Sequence, residues 1–281
     1  MDSLVLAAVL LGAACHAGWN AVIKVGLDTV LTTSLIAIGA GVVALVLLPF
    51  VGLPLAAAWP CVFASVMVHL LYFIGLSESY RLGDLGQVYP LARGAAPLMT
   101  AALSFPLLGE ALGLAAWSGI VVLASGVLLL SARGGRELAR FDRHATGLAL
   151  LTAATICAYS LVDGVGARLA GSAPAYVASL FVGNGIVLGA YVAMRRRRAA
   201  LPALAGHWRT GLAGGALQVL SYGIAVWAMT VAPIALVAAL RESSVLFGSA
   251  LSIVLLKEPL RRTRVVAALM IVSGLVLVRF S

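Results

Sequence analysis

LGQVYPLARGAAPLMTAALSFPLLGEALGLAAWSGIVVLASGVLLL (Leu85–Leu130) decides how this chain is read, because it occurs twice. The second copy, PIALVAALRESSVLFGSALSIVLLKEPLRRTRVVAALMIVSGLVLV (Pro233–Val278), aligns at a constant offset without a gap. Arg93 falls on Arg241, Ser104 on Ser252, Glu110 on Glu258, Leu112 on Leu260, Ser125 on Ser273 and Gly126 on Gly274. Leucine matches between apolar segments say little, but Arg, Glu and Gly held in one register mark an internal repeat. Each copy holds two apolar runs of membrane-crossing length, joined by a short turn, LLGEAL (Leu107–Leu112) or LLKEPL (Leu255–Leu260).

The same pattern extends over the rest of the chain. A spanning helix needs about 20 mainly apolar residues. Ten stretches qualify: Ser3–Lys24, Thr32–Leu53, Pro60–Tyr80, Leu85–Leu108, Ala111–Ala132, Ala145–Arg168, Pro174–Met194, Thr210–Val231, Pro233–Leu256 and Thr263–Phe280. The expected fold is therefore all-α and integral to the membrane, with ten transmembrane helices. Residues 1–132 form a first five-helix repeat, 133–144 a cytoplasmic linker and 145–281 a second repeat. The first stretch follows Asp2 rather than a basic region and is too long for a signal segment, so it is read as the first span. With 62% hydrophobic and only 10% charged residues, the chain could not cover its apolar surface in water. Alternation over about ten residues, as in a membrane β-barrel, is missing from these continuous runs. Small residues, including 30 glycines, suit close helix packing in lipid.

The net charge of +9 is explained by topology rather than by nucleic acid. Lys24, Arg81, the arginines of 133–143, Arg195 to Arg198, Arg209, Lys257, Arg261, Arg262 and Arg264 all lie in odd-numbered connections. The positive-inside rule places those connections in the cytoplasm and both termini outside. Five spans per repeat is an odd number, so the second half is expected to enter the membrane inverted. Such repeats, with a site near the bilayer midplane, characterise several transporter folds. Cys15, Cys61 and Cys157 sit in apolar stretches without metal-ligand spacing, so neither metal nor cofactor is expected.

A span ending in Leu108-Gly109-Glu110, followed by a helix with the late Gly126, resembles the EamA domain of the drug/metabolite transporter superfamily. Glu258 and Gly274 repeat the pattern. The resemblance covers essentially the whole chain. The strings HAGWN (His16–Asn20) and YPLARG (Tyr89–Gly94) also resemble a subgroup associated with phosphonate utilisation. The resemblance implies a ten-helix carrier with a central cavity between its halves, in a bacterial cytoplasmic (inner) membrane. It departs at Pro97, the family's helix-breaking proline, whose counterpart in the second half is Val245. Gly94 likewise meets Glu242. At these mismatches the halves are expected to divide the work of binding and coupling.

An ionisable side chain at membrane depth is costly and usually faces protein or a wet cavity. Arg93 and Arg241 occupy equivalent positions in long apolar spans, and each offers a planar fork suited to carboxylate or phosphate. They bind either a substrate anion or structural partners. His16, Trp19 and Asn20 share a face of the first span, His69 and Tyr72 one of the third, and Gln218, Ser221 and Tyr222 one of the eighth. Tyr89 lies one turn before Arg93. These residues complete the expected substrate-binding set, with Tyr159 and Ser160 beside Asp163 in the sixth span. Glu242, Asp163 and His16 are the candidates for proton coupling. Desolvation favours a neutral Glu242 while a nearby arginine favours the ionised form, so the ion stays open. Glu110 and Glu258 each precede a helix, whose N-terminus favours negative charge.

The expected function is secondary transport, by alternating access, of a small polar metabolite, anionic or zwitterionic: phosphonate, amino acid or organic acid. The alternative is export of cationic or aromatic compounds, which needs an unpaired carboxylate in an aromatic cavity. No Walker A motif supports primary pumping. Nothing marks Ser252 and His16 as a nucleophile pair, so no enzyme is expected. The partners expected are the substrate and the lipid bilayer, in a monomer or a homodimer.

Overall fold

The computed structural model describes residues 1–22, 29–82, 85–131, 143–196, 205–257 and 261–280. Of the sequence expectations, the side chains of Arg81 and Tyr89, the linker through residue 142, and Glu258 lie outside the described residues. All regular elements among the described residues are helical. They are α1 (Ser3–Val22), α2 (Thr29–Val51), a 3₁₀ turn (Ala56–Ala58), α3 (Trp59–Leu82), α4 (Leu85–Leu108), α5 (Leu114–Ser131) and α6 (Arg143–Leu169). There follow α7 (Ala173–Arg196), α8 (Trp208–Val231), α9 (Ile234–Arg241), α10 (Ser244–Leu256) and α11 (Arg262–Arg279).

By length and composition, eight stretches among the described residues are long and apolar enough to cross a membrane, the last running from Ile234 to Val254 through α9 and α10. The apolar run of α5, Leu114–Leu130, is shorter, and α11 carries arginines in both end turns. Helix ends follow local chemistry. Gly52, Gly109 and Gly171 take φ of 75°, 70° and 71° just after α2, α4 and α6, where a left-handed residue lets the last carbonyls find donors. Lys257 after α10 takes φ 52° and is the repeat counterpart of Gly109.

The distribution of polarity is that of a protein in lipid. Phe50 is 83% and Leu114 88% exposed, whereas Asp163, Glu242 and Arg93 are 0%, 4% and 7% exposed. In water that arrangement would leave apolar surface wet and charges dry; in hydrocarbon it puts each group where it costs least. The chain fits an integral membrane protein.

Packing relates the two halves. α1 lies against α8, as α6 lies against α3; α4 packs on α6, as α9 and α10 pack on α1. Two helix pairs meet their own counterparts. In α5 and α11, a methyl added at Gly126 would meet Ile271 N at 2.9 Å and Ala267 O at 3.0 Å. One added at Gly274 would meet Leu123 N and Gly119 O, both at 2.7 Å. Gly119 and Leu123 are the repeat counterparts of Ala267 and Ile271, so the two contacts exchange under the offset. α2 and α7 behave alike: a methyl on either Gly41 or Gly185 would meet the other's Cα at 2.9 Å.

Candidate binding site at a broken helix

The ninth apolar stretch, expected as one helix, is two. At Glu242–Ser243 the regular i→i−4 ladder gives way to i→i−3 bonds. Glu242 N donates to Ala239 O (3.0 Å), Ser243 N to Leu240 O (3.1 Å) and Val245 N to Glu242 O (3.1 Å). The Ser243 hydroxyl also donates to Leu240 O at 2.7 Å, a local competitor of the helix ladder. α4 carries Pro97 and yet runs unbroken; the break falls in the repeat copy whose counterpart is Val245.

The break aims successive side chains in different directions. Glu242 turns to α4, where its Oε2 lies 2.7 Å from Arg93 Nε; both side chains are buried. The N–H does not point at that oxygen, so this is a close ion contact rather than an aligned hydrogen bond. Arg93 also donates from Nη2 to Ser244 Oγ at 2.8 Å. One of the two repeat arginines therefore has a carboxylate and a hydroxyl from the broken helix.

Arg241 does not. Its guanidinium lies over the Tyr222 ring, 4.8 Å from the centroid. It has no hydrogen bond and no ion pair among the described residues. It lines a narrow, partly open cleft, with about 10 Å³ of room for a water-sized molecule, together with Pro97, Thr100, Tyr159, Ser160 and Glu242. The repeat explains the difference. The counterpart of Glu242 is Gly94, where any side chain would meet Leu128 within 2.6 Å. Arg241 thus lacks the carboxylate that Arg93 has.

Beneath Arg241 the network continues. Tyr222 donates its hydroxyl to Asp163 Oδ2, and Tyr176 donates to Asp163 Oδ1 at 2.8 Å. Asp163 is fully buried. His69 stacks on Tyr159 with centroids 4.5 Å apart, and its Nδ1 lies 2.9 Å from Ser65 O. Tyr72 meets Tyr159 edge-on at 6.0 Å, and Tyr159 meets Tyr222 at 6.2 Å. His16 lies within coulombic reach of both arginines. Its neighbours on α1 serve elsewhere. Asn20 donates to His16 O at 2.8 Å, and the Trp19 ring packs edge-on to His16 at 5.0 Å. Trp19 Nε1 and, on α8, Gln218 Oε1 are buried without hydrogen-bond partners. Arg93, Arg241, Glu242, Asp163, Tyr222, Tyr72 and His69 thus belong to one network, of which Arg241 and Glu242 line the cleft; Arg93, Asp163, Tyr222, Tyr72, His69, Trp19, Asn20 and Gln218 do not.

Two members were missed from the sequence. Tyr176 stands one turn into α7 and reads as an interfacial aromatic, and Ser244 reads as a small packing residue. Glu110 serves a helix N-terminus, though not the one expected: its Oε2 accepts from Ile234 N at 2.9 Å and so caps α9 rather than α5. Its Oε1 accepts from Arg168 Nη2 at 2.6 Å. Arg168 also binds Met229 O and Ala232 O at the end of α8.

No family model and no curated protein matches the chain. The chain is similar to a solved structure described only as the crystal structure of a protein. That likeness has a TM-score of 0.73 and 16% sequence identity, and it covers 99% of this chain and 96% of the other. At that identity it shows the fold alone.

Proposed function

We propose that the chain is a secondary transporter of small polar metabolites bearing an acidic group, anionic or zwitterionic, and a member of the EamA-type drug/metabolite carriers. Phosphonates, amino acids and organic acids are the candidate substrates. Ten spans form two inverted halves that rock about the α2–α7 and α5–α11 pairs, and α5 and α11 complete the count. The exchange of Gly126 and Gly274 contacts under the repeat offset supports this arrangement. Loop charge supports both termini outside, and the family resemblance supports a bacterial inner membrane.

The observation that carries the substrate class is Arg241: a guanidinium on a cleft wall, at membrane depth, without a carboxylate. A fixed cation there attracts an acid group and repels a cation. Asp163, which an exporter of cations would need free, already accepts two tyrosine hydroxyls.

The test is thermal stabilisation of the purified protein by methylphosphonate, glycine, succinate and a cationic dye. A ligand at 100 times its Kd adds about 2.7 kcal/mol of stability. Acids are expected to stabilise the wild type and to lose that effect in Arg241→Gln. Uptake of the same acids into proteoliposomes is expected to fall with it. Stabilisation by the cation alone would favour an exporter.

A further inference from the structure

The four formal charges of the buried network cancel: Arg93 with Glu242, and Arg241 with Asp163. The second pair is indirect. Arg241 lies over the face of Tyr222, and Tyr222 passes its hydroxyl to the Asp163 carboxylate. An anion docking on Arg241 would leave the network with one uncompensated negative charge out of water, which a low-dielectric site resists.

Resting on the anion-carrier reading above, we propose that Asp163 is the proton-coupling site, taking up one proton for each net negative charge the substrate brings to Arg241. Asp163 is fully buried behind Tyr222, so the proton comes from water entering the cleft, passes through the Tyr222 hydroxyl and binds an Asp163 oxygen. The Tyr222 hydroxyl then turns from donor to acceptor, so only O–H bonds form and break. On the other side, departure of the anion restores the Arg241 field and the proton leaves. A net anion therefore travels with a proton, and a zwitterion travels without one.

The groups around Asp163 favour it over its rivals. α7 presents the Tyr176 hydroxyl and α8 the Tyr222 hydroxyl. α3 brings Cys61 and His69 within coulombic reach, and α6 itself brings Tyr159. Arg168, further along α6, is engaged by Glu110 and by carbonyls of 229 and 232. Glu242, the other buried carboxylate, is held by Arg93; protonating it would strand that arginine. His69 is stacked on Tyr159 and held at Ser65.

The experiment is titration calorimetry of lactate and of glycine, at one pH, in two buffers of different ionisation enthalpy. The difference in heats counts protons taken up per ligand. The wild type is expected to take up about one proton with lactate and about none with glycine. Asp163→Asn is expected to bind lactate with no proton uptake. In proteoliposomes it should exchange labelled lactate across the membrane while ignoring a pH gradient. Asp163→Glu should restore the proton count. Lactate binding to wild type without proton uptake overturns the coupling and leaves the carrier reading standing, even if Asp163→Asn does not fold. Proton uptake that persists in Asp163→Asn moves the site to another group and overturns the proposal. Binding of neither ligand overturns the carrier reading and the coupling with it.

Discussion

Removing one partner of the Arg93–Glu242 pair strands the other charge in a site where both side chains are buried. Such a deletion costs about 3–5 kcal/mol, whereas removing both charges together costs far less, because the desolvation penalty goes with them. Arg93→Gln and Glu242→Gln are therefore each expected to destabilise the detergent-solubilised protein strongly, and the double variant by much less than the sum. Arg241→Gln loses only a cation–π contact, worth about 0.5–2 kcal/mol. It should stay folded, which makes its loss of acid binding interpretable. Denaturant unfolding of the four variants checks this; an Arg241→Gln as unstable as Arg93→Gln would make both arginines structural. The two arginines thus play different parts because Glu242 meets glycine at position 94.

At the scale of the element, the helix pairs that meet their own counterparts are held by backbone contact rather than by side-chain fit. At Gly126 and Gly274 the close atoms include, besides the Ile271 and Leu123 side chains, backbone N and O at 2.7–3.0 Å, which cannot swing aside. Gly126→Leu and Gly274→Leu are expected to destabilise by about 1–3 kcal/mol or more each, by forcing α5 and α11 apart. Gly75→Leu, where an added methyl meets nothing within 4 Å, should be tolerated. Thermal unfolding reads all three, and equal tolerance would mean that α5 and α11 can separate freely. The sequence made the two helices and their repeat register legible, through apolar run length and the matched Gly126 and Gly274, but not that the two touch. It made the break legible only in the wrong place. Pro97 advertises a break in α4, which runs unbroken from Leu85 to Leu108, while Ser243 and Ser244 give a weaker signal inside an apolar run. Nor could spacing show that Glu242 reaches across the fold to Arg93, or that Tyr176 turns inward to Asp163. Those pairings are set by which helices touch, and helix contact is not written in the order of one chain.

At the scale of the whole molecule, the carrier mechanism proposed above requires the two proposed halves to part at one end and close at the other. Glu110 ties them at the end bearing the even-numbered connections. It comes from the turn after α4, in the first half; both its partners, Arg168 and the first amide of α9, belong to the second. Arg168 in turn holds the end of α8 through Met229 O and Ala232 O. One carboxylate therefore caps a helix, pairs a cation and closes a seam, and all three must yield before that end opens. Glu110→Gln keeps an acceptor for Ile234 N and removes the charge. A charge-assisted bond contributes about 1.5–3 kcal/mol, less here because Arg168 is partly exposed. A loss of about 1.4 kcal/mol would raise opening about tenfold. Amide hydrogen exchange at Ile234 and Leu236 is thus expected to quicken about tenfold in Glu110→Gln, with exchange in the α2–α7 contact unchanged. Unaltered exchange at Ile234 would mean that this seam does not gate the opening of that end.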